Sequence, residues 1–492
     1  MRPTQRRLEF AAIFSITMLA AYLRFVNLAT NPGWYTDEGT HLDIARNLIA
    51  GRVQYLAVDQ SWLIFSRLPL FENLLALWLR VFGVSMLALR TLTASLGTLT
   101  VVLVWALGRR VFERRGLALL APLLLAIYPP AILYSRFGFS YNLLAPLLML
   151  AALSAGRYAQ TQSKRWLAVT AISIGLGTLT DVWAFILLVP FTLVVGLRCW
   201  RDLLWSLPLA LLPFGLYALT ALITAPNAFL FDLRFVMSRL NQLPITQQIS
   251  TLIQNLTTLS AQDGWFAIGL LGLLALRPAP VRWVMAAFSI VPLVLLGRTT
   301  ALFSLSAYYM IPLWPFVALG AASLIVTVSD RLTRNTRWRG VIAIGLGGAI
   351  GLITVPPLVQ QATTHFRTDI EPFLIDPVMA QSAADFVNAH VTDTDLVIAS
   401  PALAWQIRSN VADFQMPLAY RGQATPHLPA DVPTDRWAYE PRYQQARFVI
   451  VDNLWRNWAV PDVAGVREML TNVEQWPSVY RVGDVVVYQN PR

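Results

Sequence analysis

The strongest constraint in this sequence is the recurrence of apolar runs, each near the length of a bilayer crossing, separated by short connectors rich in arginine. A hydrocarbon core about 30 Å thick needs about 20 apolar residues in helical form, with 17 to 25 as the usual range. Runs that meet this ruler, some of them only with help from flanking residues, fall near 10–28, 89–108, 116–134, 142–156, 166–180, 182–198, 204–224, 264–276, 283–297, 306–328 and 340–358. The chain is therefore expected to be mainly α, a polytopic membrane helical bundle of about 11 spans. Its composition agrees, with 56% hydrophobic and 13% charged residues and a mean hydropathy of +0.53, whereas soluble proteins carry roughly 25% charge. The net charge of +11 does not point to nucleic acid, because the basic residues concentrate in the connectors, as membrane orientation requires.

Those connectors alternate. Starting from Arg2, Arg6 and Arg7, the connectors 109–115, 157–165, 198–202, 277–282 and 330–339 are basic, while 30–88, 135–141, the point near Asp181, 225–263 and 298–304 are mixed or less basic. Positive residues stay on the cytoplasmic side. The N-terminus is thus expected in the cytoplasm of a multi-pass plasma (inner) membrane protein, with 30–88 and everything after about residue 360 outside. The first apolar run ends without a clean small-residue cleavage site and reads as an uncleaved span. The one cysteine, Cys199, excludes an intramolecular disulfide and leaves the compartment open.

Within 30–88, LFENLLALWLRVFG (70–83) is too short to span comfortably, and crossing would place Glu72 and Arg80 in hydrocarbon. It is expected to be a helix lying at the interface. After about residue 360 the chain turns polar, with a helical pattern in DPVMAQSAADFVNAHV and strand patterns in DLVIAS (395–400), ARFVIVD (446–452) and VGDVVVYQ (482–489). This divides the chain into a transmembrane domain, 1–359, and a small C-terminal α/β domain, 360–492. The latter holds no phosphate-cradling glycine loop and no metal-ligand cluster, so a structural or acceptor-positioning role is expected.

Chemistry concentrates in WYTDEGTHLDIARNLIAG (34–51). Adjacent carboxylates, Asp37 and Glu38, stand at the start of a short amphipathic helix whose apolar face is Leu42, Ala45, Leu48 and Ile49. A carboxylate near a helix N-terminus stays ionised readily, since the dipole favours negative charge there, and an ionised carboxylate can serve as a general base. Arg67, Arg136 and Arg298 fall at outer membrane boundaries in this topology. Guanidinium groups bind phosphate oxygens through two parallel hydrogen bonds, so these three are expected to hold a lipid phosphate; the alternative for each is snorkelling to head groups. A phosphate-linked sugar has a good leaving group, so one base and positive charge suffice, unlike glycoside hydrolysis with its two carboxyl groups. Asp37 would deprotonate the acceptor while arginines stabilise the departing phosphate.

The order of a first span, a loop opening with Asp-Glu, RLPLFENLLALWLRVFG and LRTLTASLGTLTVVLVWALGRRVF resembles the polyprenyl-phosphate-dependent glycosyltransferases of GT-C fold, which include protein O-mannosyltransferases and the aminoarabinose transferase of lipid A. SAYYMIPLWPFVALGAA (306–322) is similar to that family's late Tyr-Pro-rich span. The resemblance covers roughly 10–320. It implies an inverting enzyme that moves a sugar from a polyprenyl-phosphate donor to a hydroxyl of an acceptor lipid, glycan or protein among membrane lipids, without nucleic acid. The family's acidic pair falls on Asp37 and Glu38, both assigned to catalysis, and its basic residue before proline falls on Arg67, with Leu68 intervening before Pro69. Tyr35, His41, Asn142, Tyr308 and Tyr309 are the expected substrate-binding residues, although Asn142 and Asp181 stand where relatives commonly carry an acid and a lysine. The family is generally taken to use no cofactor and no metal; His41, four residues after Asp37, leaves a divalent-cation site open beside a simple hydrogen bond. The alternative function is a transporter or flippase for lipid-linked glycans, against which the Asp-Glu loop and the soluble tail argue.

Overall fold

The structure, a computed structural model, describes residues 3–62, 68–112, 115–239, 243–332, 336–364 and 374–491. The chain divides into two compact units: Met1–Val26, Thr93–Ala218 and Asn241–Thr363 form the first, and Asn27–Leu92, Leu219–Leu240 and Thr364–Arg492 the second.

The first unit is helical. Among the described residues, seven helices are long and apolar enough to cross a membrane: Arg6–Phe25, Met86–Val111, Tyr141–Thr161, Val182–Thr224, Ala279–Gly297, Trp314–Leu332 and Val341–Thr363. Gly116–Ala126 and Pro129–Ser135, bent by 58°, make an eighth if they count as one span. These lengths do not confirm the expected count of 11, for two reasons. Two of its members join in the 43-residue element Val182–Thr224, broken only at Cys199, where φ is −155° and ψ 94°. Two others shorten to the 15-residue helix Lys164–Thr178 and the ten-residue helix Gly264–Leu273.

The bend after Ala126 has a local cause. Pro129 excludes Tyr128 from helical geometry (ψ 115°), because its ring crowds the preceding residue. The last carbonyls of Arg115–Ala126 then need other donors, and the buried Arg24 guanidinium supplies them, donating to Leu125 O and Ala126 O at 3.3 Å each. Elsewhere small residues let helices touch: a Cβ built on Gly320 would lie 1.8 Å from the carbonyl oxygen of Gly269, so Gly264–Leu273 and Trp314–Leu332 pack backbone to backbone, as membrane helices do at small-residue contacts.

The second unit contains the helices Thr36–Ile49 and Pro69–Phe82 and a five-stranded sheet. Across that sheet the strands run Asn410–Ala412, Leu396–Ile398, Phe448–Val451, Val485–Gln489, Ser478–Val482. The first three are parallel, with Val397 opposite Val411 and Phe448; the last two are antiparallel. Leu396–Ile398 and Phe448–Val451 are buried along their whole length, which is why they read as continuous apolar runs rather than alternating ones. The helices expected from 34–51, 70–83 and the 376–391 pattern form as Thr36–Ile49, Pro69–Phe82 and Pro377–Asn388. Pro69–Phe82 buries Phe71, Glu72, Leu75, Ala76 and Leu79 at helical spacing, while Leu77, Val81 and Phe82 stay exposed on its other face.

The C-terminal segment does not fold apart from the segment between the first two spans. Trp34 and Ile375 exchange backbone hydrogen bonds of 2.8 and 3.1 Å, and Ala438 N–H donates to Ala57 O at 2.9 Å. The expected domain 360–492 is thus one part of a unit that also includes 27–92 and 219–240.

Candidate active site

The acidic pair opens the Thr36–Ile49 helix. Tyr35 precedes it in extended conformation (φ −107°, ψ 152°), and its N–H donates to Glu38 Oε2 at 3.1 Å. This is the reach-back half of a capping box, in which a glutamate in the first turn satisfies a donor just outside the helix. Glu38 is wholly buried, and so is Arg90. Arg90 Nε donates to Glu38 Oε1 at 2.8 Å and Nη2 to Oε2 at 2.7 Å, the two-pronged geometry that suits guanidinium and carboxylate. The remaining Arg90 donors go to the carbonyls of Leu28 (3.3 Å), Pro32 (2.6 Å) and Gly33 (2.8 Å). A buried ion pair holds only when its other hydrogen-bonding capacity is met, and here the three carbonyls on Arg90 and the Tyr35 N–H on Glu38 meet it.

The pair's two acids therefore differ. Both Glu38 oxygens, expected to share in catalysis, are engaged by Arg90. Successive residues of a helix point about 100° apart, and burying Glu38 turns Asp37 toward the half-exposed side of the first turn.

One turn on, His41 Nδ1 lies 2.5 Å from Glu72 Oε1, with both side chains 1% exposed. The imidazole meets the Phe71 ring edge-on at 4.9 Å. His41, expected at the substrate, joins Thr36–Ile49 to Pro69–Phe82 through this contact. Asp43 accepts from Arg46 Nη2 (2.6 Å), Leu56 N–H (2.8 Å) and Asn47 Nδ2 (3.2 Å); burial raises its pKa, against the pull of Arg46 and the Leu56 amide. Tyr55 is buried beneath the helix, its hydroxyl 3.4 Å from Thr40 Oγ1. Burial first, and then the nearby Asp413 charge, push its pKa well up, while Thr40 opposes them.

Of the other expected residues, Tyr35 is in the second unit, Arg67 lies outside the described residues and the rest belong to the first unit. Asn142 Nδ2 donates to the carbonyls of Tyr134 (3.0 Å), Phe137 (3.2 Å) and Phe139 (3.3 Å), so this buried amide organises the 134–142 turn rather than standing open to a substrate. Arg136 is buried and donates to Leu23 O at 2.9 Å and Ala362 O at 3.5 Å. Arg298 is exposed and reaches Gln248 Oε1 at 3.2 Å and Leu295 O at 3.3 Å. Tyr308 and Tyr309 are half-buried in an aromatic cluster: Tyr308 stacks on Phe139 (4.9 Å) and Tyr141 (5.6 Å), and Tyr309 meets Tyr141 edge-on at 5.2 Å. Tyr35 is buried at the start of the site helix. Among the described residues no three His, Cys, Asp or Glu side chains are grouped as a metal ion would need.

Sequence reasoning missed Arg90. Its signal was a single arginine in the first turns of an apolar helix, LALRTLTASLG; ionisable residues there are rare and demand a partner.

Comparison with known proteins follows the same lines. Residues 66–228 match the family described as dolichyl-phosphate-mannose-protein mannosyltransferase. An uncharacterized protein of Aquifex aeolicus (strain VF5) is 31% identical over 105 residues, a stretch that covers 21% of this chain and spans only 21% of that relative's length. ArnT from Cupriavidus metallidurans superposes with a TM-score of 0.66 at 16% identity, covering 97% of both chains in the apo state. With undecaprenyl phosphate bound, the same protein gives 0.62 at 14%, covering 100% of this chain and 98% of that one. The apo oligosaccharyltransferase of Archaeoglobus fulgidus gives 0.61 at 13%, over 92% and 71%. The chain has the GT-C fold, the architecture of polyprenyl-phosphate-dependent glycosyltransferases, and carries the pattern of one such family in residues 66–228.

Proposed function

We propose that the protein is an inverting glycosyltransferase that moves a sugar from a polyprenyl-phosphate donor to an acceptor hydroxyl on the outer face of the membrane. The observation that carries this reading is the asymmetry of the acidic pair. Glu38 is immobilised by Arg90, and Asp37 is held next to it, half-exposed, in the first turn of the helix. Such a carboxylate can take the acceptor's proton as the oxygen attacks the anomeric carbon from the face opposite the phosphate. The phosphate leaves with its electron pair, so no acid is required on that side. Arg67, Arg136 and Arg298 remain the proposed partners of the departing charge, with Tyr308 and Tyr309 proposed at the substrate. The comparisons support this through fold and through the family match, which begins at residue 66.

The test is Asp37→Asn. Membrane glycolipids and glycoproteins are compared by mass spectrometry in cells with the native chain, without it, and with the variant. The variant should accumulate normally, leave its unfolding midpoint unchanged and lose at least about 100-fold in transfer, the scale on which a positioned base contributes. Native product levels from Asp37→Asn would end the assignment.

A further inference from the structure

Open α/β sheets place their ligands beyond the carboxyl ends of parallel strands, where the strand order reverses. In this sheet the three parallel strands stand in the order second, first, third, and the residues leaving those ends include Ser400, Asp413 and Asp452, all buried. The chain's own Thr36–Ile49 helix packs there. A Cβ on Gly39 would fall 1.9 Å from the Pro401 carbonyl oxygen, 2.6 Å from its carbon and 2.9 Å from Ala402 Cα. All three are backbone atoms, so no side chain can swing away. Further along the helix, Arg46 Nη1 donates to Trp405 O at 2.7 Å and Ile407 O at 3.1 Å. Ahead of it, the Trp34 ring lies 5.6 Å from that of Trp405. Below it, the Tyr55 hydroxyl hydrogen-bonds Asp413.

We infer that Gly39 is a positioning residue: the backbone contact it permits with Pro401 seats the Asp37-bearing helix on the sheet, which makes the C-terminal segment a working part of the catalytic apparatus. The inference rests on Asp37 being the base. Gly39 lies two residues from Asp37, in the same turn. Relieving a 1.9 Å approach to the 3.4 Å of ordinary contact moves the helix by about 1.5 Å. Misplacement of about 1 Å can lower a rate by roughly 100-fold.

The experiment is Gly39→Ala in the full chain, with polyprenyl-phosphate sugars extracted from the producing cells as donor and amide hydrogen exchange as a readout independent of turnover. The expected result is a kcat lowered at least about tenfold, a donor KM within about threefold of native, and faster exchange in both 34–49 and 399–407. Native kcat in a folded variant overturns the inference, whether or not exchange rises. Whether Asp37 is the base is decided separately by Asp37→Asn, so the two failures are distinguishable. Should Gly39→Ala not fold, Tyr55→Phe loosens the same seat without adding volume; it is expected to lower kcat a few-fold at constant KM, and an unchanged kcat counts against the inference.

Discussion

At the residue scale the proposed site turns on two adjacent acids, one wholly buried and one half-exposed. Glu38 cannot be understood without Arg90, and their bond suggests a test that separates structural from chemical roles. Arg90→Lys keeps the charge but replaces a five-bond fork by one flexible ammonium, leaving a buried carboxylate and three carbonyls poorly served. Disrupting a buried pair costs about 3–5 kcal/mol when one partner is removed; retaining the charge should bring this to roughly half. Arg90→Lys is thus expected to lower both the unfolding midpoint and transfer, whereas Asp37→Asn lowers transfer alone. Equal midpoints for native protein and Arg90→Lys would show that the pair does not hold the helix start. The sequence made Asp37 and Glu38 visible because they are adjacent and acidic. It could not rank them, since Glu38's partner lies 52 residues away. For His41 and Asn142 too the sequence could not show the partners, the carboxylate of Glu72 and the carbonyls of Tyr134, Phe137 and Phe139.

At the element scale, the site helix owes its position to the sheet, and the sheet's buried acids make that support sensitive to pH. Asp413 caps the turn after its strand by accepting from Gln415 N–H at 2.8 Å and Met416 N–H at 3.1 Å. Burial nevertheless raises its pKa to about 6. A folded pKa above the unfolded value of about 3.9 means that the folded state holds the proton more tightly. This contribution is fully present below about pH 4 and lost as pH rises through about 6, a swing of roughly 2–3 kcal/mol. The unfolding midpoint should therefore be higher at pH 5 than at pH 7.5, and Asp413→Asn, which keeps an oxygen for the two amides, should shrink that difference. Asp452, also raised to about 6 by burial, should leave a remainder; an undiminished pH dependence in Asp413→Asn would refute the assignment. Local pattern disclosed these elements unevenly. The strands at Leu396–Ile398 and Phe448–Val451 were legible as unbroken apolar runs, but the three-residue strand Asn410–Ala412 is too short to leave a period. That the Asp-Glu helix would pack on the C-terminal sheet was not legible at all, because the contact depends on a glycine and on backbone atoms of Pro401.

At the scale of the whole molecule, helix lengths and connector charges bear on which side of the membrane each part works. Counting each long helix once and the bent pair once yields eight crossings, an even number that returns the C-terminal segment to the side of the N-terminus. The Val182–Thr224 element, however, contains 43 residues. At about 1.5 Å per residue it is roughly 64 Å long, twice a hydrocarbon core of about 30 Å. It also leaves helical geometry at Cys199, amid the basic connector 198–202. Two crossings there make nine, and adding the two short helices, Lys164–Thr178 and Gly264–Leu273, makes eleven. Both odd counts set the C-terminal segment opposite the N-terminus, and the count of eleven also keeps every basic connector on one side. Reporter fusions after residues 160 and 400 decide between the even count and the odd ones: the first is expected on the cytoplasmic side and the second exported. Because Thr36–Ile49 is joined to the C-terminal segment within one unit, an exported reporter at 400 would place the proposed base, Asp37, on the exported side as well. Both reporters on one side would restore the even count and move the proposed chemistry to the cytoplasmic face.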